Sequence, residues 1–338
     1  MPMMSSDTAP GLALERAVGV VTKAHPELAE RMSRALDLVL QDIRSHPDQN
    51  RAWGASKLNA SGAPLEFTFS TLGGEVRYAV EVGGPDVPPA DRLEVAARLL
   101  GQAGVGPTAD EVVARFRGLQ RPGELSWGAW LGVRHLPEGD EFKVYAQLPR
   151  DTPPAATLFL REVLGAIPTL AGGRRLQPVA VGGTPGSPRT EVYFELSGVG
   201  LDADTLDRLL DPFGLGSDRQ LLWDLMSQAE GAALPGGPSL PEVDYGFSLS
   251  ALPGGAAPVA SVFARSCNFL GPDAFARWSM LKVASLRGWS LGAYAAMTRP
   301  LADRIMSCDS HNVVGFLLAG GCRSGMHISL SPPLLSGQ

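Results

Sequence analysis

Five pairs of stretches along this chain alternate apolar with polar side chains, while the segments between them repeat their apolar residues every three to four positions. The first pair lies in 64–81, PLEFTFSTLGGEVRYAVE. There Leu65, Phe67 and Phe69 fall on one face of a strand and Glu66, Thr68 and Ser70 on the other. A two-residue turn at Gly73-Gly74 would set Leu72 opposite Glu75, Ser70 opposite Arg77 and Glu66 opposite Glu81. Glu66 and Arg77 would then share a face, about 13 Å apart along the strands. The same plan recurs in WGAWLGVRHLPEGDEFKVYAQLP, LQPVAVGGTPGSPRTEVYFEL, DYGFSLSALPGGAAPVASVFAR and NVVGFLLAGGCRSGMHISLSP. The turns fall near 73, 139, 185, 254 and 321, mostly about 67 residues apart, which is a weak internal repeat.

The intervening segments predict helices. A long N-terminal helix is expected from Leu14 to Ile43. In DADTLDRLLDPFG, residues Leu206, Leu209, Leu210 and Phe213 make an apolar stripe behind an Asp-rich start. In PDAFARWSMLKVASLRGW, the expected inner stripe is Phe275, Trp278, Leu281 and Leu286, with Gly288 as the stop. Hairpins separated by helices exclude a parallel βαβ sheet. Ten strands with one apolar face each fit either an open sheet with a wet polar face or a closed barrel, helices outside and polar faces inside.

At 44% hydrophobic residues the chain has ample material for a core, and no apolar run reaches the ~18–20 residues that span a bilayer. The start, MPMMSSDTAPG, has neither the basic nor the apolar region of a secretion signal, so a cytoplasmic location is expected. A formal charge of −6 argues against nucleic acid as a partner. Cys267, Cys308 and Cys322 are an odd set without CxxC spacing, read as reduced, structural thiols. His135, His311 and His327 lack partners at metal-binding spacing and are read as structural. No Walker A loop and no DDxxD motif is present.

Four stretches together resemble the aromatic prenyltransferases of the ABBA barrel type, in particular the dimethylallyltryptophan synthase branch. They are GAPLEFTFSTLGGEVRYAVE, EFKVYAQLP, RTEVYFEL, and APVASVFARSCNFLGPDAFARW with the RGW that follows. The resemblance implies an α+β fold: a ten-stranded antiparallel β-barrel ringed by helices (the PT barrel), in five α-β-β-α-type repeats. Residues 1–338 would form a single domain, with the first about ten residues lacking fixed structure. It also implies an enzyme of specialised metabolism that moves an allylic prenyl group, such as dimethylallyl, from its diphosphate to an indole or tryptophan-like aromatic. Carried over by motif, Glu66 accepts the indole N–H as the catalytic residue. Arg77, Lys143 and Arg189 bind the diphosphate, and Tyr145 and Tyr193 shield the allylic cation. No metal site and no obligatory cofactor are implied, although magnesium could stimulate.

The chemistry suits those residue types. Fixed Lys and Arg charges in a dry interior stabilise a departing diphosphate, and aromatic faces attract a carbocation without reacting with it. The chain departs from the family pattern at Glu191 and Ser261, where lysines are usual, and at Phe263 and Ser329, where tyrosines are usual. Two alternatives follow: a repurposed barrel that binds or cyclises an aromatic metabolite without diphosphate chemistry, and a barrel that modifies a peptide.

Overall fold

The computed structural model describes residues 9–332, except 74, 122, 152–153, 166, 199, 232–239, 252–257 and 321–322. The expectation for the extreme N-terminus falls on residues 1–8, outside the described residues, and helix begins at Ala9. Before the first strand come α1 (Ala9–Ala24), α2 (Ala29–Val39), α3 (Gln41–Arg44) and α4 (Gln49–Gly54). The single long helix expected there is broken by a 3-10 turn at Pro26–Leu28, because proline cannot donate to the preceding turn and clashes with it.

The strand pairs then follow: β1 (Leu65–Ser70) with β2 (Val76–Glu81), β3 (Ala129–Leu136) with β4 (Gly139–Gln147), and β5 (Leu176–Gly183) with β6 (Thr190–Leu196). The last two pairs are β7 (Tyr245–Ala251) with β8 (Val259–Arg265), and β9 (His311–Ala319) with β10 (Arg323–Leu330). Between them lie α5 (Arg92–Gln102) and α6 (Pro107–Gln120), then α7 (Pro154–Leu164), then α8 (Ala203–Leu210) and α9 (Arg219–Glu230). The last gap holds α10 (Ser266–Leu270), α11 (Asp273–Arg287) and α12 (Gly292–Met297).

Every strand pairs antiparallel with its sequence neighbours, and β1 pairs with β10, so the ten strands close into a barrel. Closure leaves no exposed edge, and the barrel reading prevails over the open sheet. The outward faces carry Leu65, Phe67, Tyr78, Val80, Leu131, Val144, Val192, Phe247, Val262 and Phe316, all nearly inaccessible beneath the helices. The core is thus a shell between barrel and helices. Two hydrogen-bonded chains pin that shell: Tyr78 to His135 to Asp140, at 3.1 and 2.6 Å, and Tyr294 to His311 to Asp273, at 2.9 and 2.9 Å. His135 and His311 therefore serve the outer wall.

The first hairpin differs from expectation in register. Glu66 pairs with Ala79 and Thr68 with Arg77, a slip of two residues from the pairing set by a Gly-Gly turn. The chain leaves the ladder early because Thr71 N–H donates to Met326 O on β10 and Leu72 N–H to the Ser70 hydroxyl. A slip of two preserves both faces, and it brings Glu66 to about 7 Å from Arg77 along the strands. Glu81 does not face Glu66. It takes Arg92 of α5 at 2.8 Å and the Lys57 N–H at 2.8 Å, in a buried knot at the end of β2.

α8 meets expectation in three of its four stripe residues: Asp202 caps it by accepting from Thr205 N–H at 2.7 Å, and Leu206, Leu209 and Leu210 are buried, while Phe213 lies in the 3-10 turn beyond the helix and is only partly buried. α11 does not. It buries Ala276, Ser279, Met280, Val283 and Ala284, while Phe275, Trp278 and Leu286 are more than half exposed. Small side chains let α11 lie close against α9 and α10, a packing benefit that hydrophobicity alone does not score.

Cys267 and Cys308 form a disulfide with Cα atoms 5.4 Å apart, contrary to the expectation of reduced thiols; Cys322 lies outside the described residues. Spacing hid the pair because α11 and α12 bring two distant segments together. The bridge ties the exit of β8 to the entry of β9 across 41 residues, a loop for which chain entropy alone gives about 4 kcal/mol. Scanning calorimetry with and without reductant should show the midpoint falling by up to ~6 °C on reduction. The double variant Cys267→Ser/Cys308→Ser should match the reduced protein and ignore reductant; an unchanged midpoint on reduction would refute the bridge.

Candidate functional site

The polar strand faces meet inside the barrel. Because each strand alternates strictly, one register fixes a continuous inner lining. All five hairpin turns lie at one end and all helical connections at the other, so position along a strand reports depth. Arg77 and Arg189 lie toward the hairpin end, Lys143 and Tyr193 near mid-strand, and Glu66 toward the helical end. The six residues carried over by motif, Tyr145 included, fall on this inner face; Arg189, just before β6, does so through its hydrogen bond to Ser250, which lies opposite Glu191.

At the centre, Lys143 Nζ pairs with Glu191 and reaches Tyr193 Oη at 3.3 Å. It also stands 4.8 Å from the Tyr145 ring centroid and 5.7 Å from that of Tyr193. Burial opposes both charges, but each holds the other ionised: Lys143 is raised above the ordinary lysine value, and Glu191 is lowered with further help from Tyr193 and Ser248. Tyr145, Tyr193 and Phe263 form a belt, with ring centroids 5.9 and 6.5 Å apart. Glycines on the inner wall make room for these side chains. A Cβ on Gly132 would come within 2.9 Å of the Tyr145 ring, one on Gly182 within 2.6 Å of Lys143, and one on Gly246 within 2.1 Å of Phe263.

His327 also belongs to this lining, opposite Ser70 on β1 and against Gly315 on β9. It was expected to be structural, like the other two histidines. Burial lowers it to about 4, with Arg77 adding to the effect and Glu191 opposing, so the ring is neutral at neutral pH.

Toward the hairpin end, Arg77 meets Arg134 directly across β2 and β3, and Glu75 bridges both guanidinium groups. Arg134 also lies 3.4 Å from Glu141. Arg189 instead donates to the Ser250 hydroxyl at 3.1 Å, with no carboxylate as partner among the described residues. Four cations here and at the centre thus stand against three carboxylates, Glu75, Glu141 and Glu191.

At the helical end, Glu66 Oε2 accepts from Asn312 Nδ2 at 2.7 Å, and Arg265 in turn donates to Asn312 Oδ1. Asn312 reaches the interior because the β9–β10 register shifts between Ile328 and Leu330, so that Asn312 and Val313 together oppose Ser329. Burial pushes the Glu66 carboxyl up to about 7, against the opposing pull of Asn312, Ser329 and Arg265. Trp130, stacked on Trp127 at 3.8 Å, lines the same side with its indole N–H buried and without a partner among the described residues. Glu75, Arg134, Asn312, Arg265 and Trp130 were not singled out in the sequence. Arg134 and Trp130 were legible by alternation on β3, whereas Asn312 depends on a bulge that no local pattern announces.

The architecture is that of the ABBA prenyltransferase barrel. No protein-family model and no curated sequence matches the chain. Solved structures do resemble it. The prenyltransferase PriB in its apo form superposes with a TM-score of 0.74 at 16% identity, covering 97% of each chain. A 5-dimethylallyl tryptophan synthase from Streptomyces coelicolor, in complex with DMASPP and Trp, gives 0.75 at 14%, covering 98% of this chain and 97% of that one. A 6-dimethylallyltryptophan synthase from Micromonospora olivasterospora, also with DMASPP and Trp, gives 0.71 at 17%, covering 96% and 97%. At such identities the likeness establishes a shared fold.

A carboxyl near pH 7 has a measurable signature. Carbon-13 NMR of labelled glutamate should show Glu66 titrating near 7, a signal absent in Glu66→Gln. Because folding raises this group, the stability it contributes is full below about 4.5 and is lost as pH rises through about 7. A titration at the ordinary value near 4.5 would place Glu66 in open water instead.

Proposed function

We propose that the barrel is an aromatic prenyltransferase that moves an allylic group from its diphosphate to an indole or related aromatic acceptor. The observation that carries this reading is the ordering of one lumen: arginines toward the hairpin end, an aromatic belt about Lys143 at the centre, and Glu66 toward the far end. In this order each group meets a different part of the reaction. Cations toward the hairpin end hold the diphosphate and stabilise the charge that grows as the C–O bond breaks. Tyr145 and Tyr193 already surround one cation, the Lys143 ammonium, and their faces suit an allylic cation equally. Glu66, once ionised, accepts the N–H of the acceptor and makes its ring more electron-rich, while the wall keeps water from the cation. Proteins of the same fold have been solved with DMASPP and Trp, which supports a prenyl donor and an aromatic acceptor as the pair of substrates.

A second reading has an observation in its favour. Glu191 holds Lys143, so the lumen carries only a thin excess of positive charge for a donor of about three negative charges. A barrel repurposed to bind or cyclise an aromatic, or to modify a peptide, would tolerate that balance. The deciding experiment is incubation with dimethylallyl, geranyl and farnesyl diphosphate against tryptophan, a small aromatic panel and indole-bearing peptides, read by mass gain. Transfer to any acceptor supports the first reading, and none across the panel supports the second.

Given transfer, two variants should fail differently. Lys143→Gln with Glu191→Gln removes the central pair without stranding a charge, so donor kcat/KM should fall by ~10²-fold with every acceptor. Glu66→Gln should depress transfer to N–H acceptors, leave donor affinity near normal by calorimetry, and abolish a rise in acceptor kcat/KM through pH about 7. Chelator should leave turnover largely intact, since fixed Lys and Arg charges supply the leaving-group stabilisation; complete loss restored by magnesium would contradict this.

A further inference from the structure

Glu75 has an unusual position. It precedes β2 in the connection from β1, yet its carboxylate turns into the barrel, with one oxygen on each of two guanidinium groups. Arg77 and Arg134 are direct cross-strand partners, and two like charges side by side repel unless an anion lies between them. Each arginine also has a buried Nε–H without a partner among the described residues, so the single carboxylate does not exhaust their donors. Two facing guanidinium groups with spare N–H donors are built for an anion with more oxygens than a carboxylate offers.

We propose that Glu75 is a displaceable internal carboxylate competing with the donor's diphosphate for Arg77 and Arg134, and that Arg134 thereby joins the anion seat. This deepens the prenyl-diphosphate reading and rests on it. Glu75 cannot leave by protonation, because burial, which would raise its carboxyl, is outweighed by Arg134 and Arg77, and it stays at about 2. It must swing away as the anion arrives, and a flexible side chain in a connection can do so where one in mid-strand would disturb the ladder. Gly73 permits the inward pose: a Cβ there would lie 2.1 Å from Glu75 Oε2. Glu75 thus keeps the two arginines bridged and aligned until a stronger ligand takes them.

The test is calorimetry of inorganic pyrophosphate with the full chain, each variant checked for a native melting profile. Glu75→Gln should bind pyrophosphate at least about tenfold more tightly than the wild type. Gly73→Ala, which evicts the carboxylate while keeping its charge, should shift affinity the same way but less. Arg134→Gln added to Glu75→Gln should reverse the gain. If the wild type binds pyrophosphate and Glu75→Gln binds it equally or more weakly, Glu75 is an organiser of the arginines and this inference fails, while prenyl transfer stands on the mass-gain result. If Arg134→Gln leaves the gain untouched, Arg134 is outside the seat. If no variant binds pyrophosphate, this inference and the prenyl-diphosphate reading fall together.

Discussion

Closing ten strands into one barrel removes every open edge, and it makes one face of every strand part of a shared interior. Charges placed on that face lose much of their water and must find partners or shift their ionisation. The lining follows this rule throughout. Lys143 and Glu191 hold each other ionised, Glu75 spans two arginines, His327 gives up its proton, and Glu66 is pushed toward neutrality. What varies along the lumen is how completely each charge is answered. Glu66 is the least compensated carboxylate, with an amide and a hydroxyl close by and its arginine one residue removed, on Asn312.

On the proposed reading, that gradient is what the reaction would use. A carboxyl poised near neutrality is a sensitive acceptor for an N–H, because a small change of surroundings decides its charge. The lysine is held in place by two tyrosine rings and a carboxylate, a fixed arrangement that the proposed transfer would use without much rearrangement. Wall glycines complete the design by letting Tyr145, Lys143 and Phe263 lie close against neighbouring strands instead of crossing the interior. Outside, the two Tyr–His–Asp chains and the disulfide brace the shell on which this lining depends.

Alternation along the chain was enough to mark the strand pairs, the helices between them and the polar strand faces that carry Glu66, Arg77, Lys143, Tyr145, Arg189 and Tyr193; an open sheet fitted that pattern too, and closure of the barrel is what turned those faces inward. Side-chain alternation has a period of two, and any register slip of an even number leaves it intact. For that reason the first hairpin could slip by two residues without moving Glu66 or Arg77 to the other face. Distances and partners were another matter. That Glu66 meets Asn312, that Glu191 claims Lys143, that Arg134 joins Arg77 and that Cys267 meets Cys308 all depend on contacts between segments far apart in the chain. The stripe on α11 was misread for a related reason: which helix face turns inward was decided by how closely its neighbours could approach, not by its own hydrophobic residues. Local periodicity fixes which way a side chain points, whereas only closure of the barrel decides what it meets there.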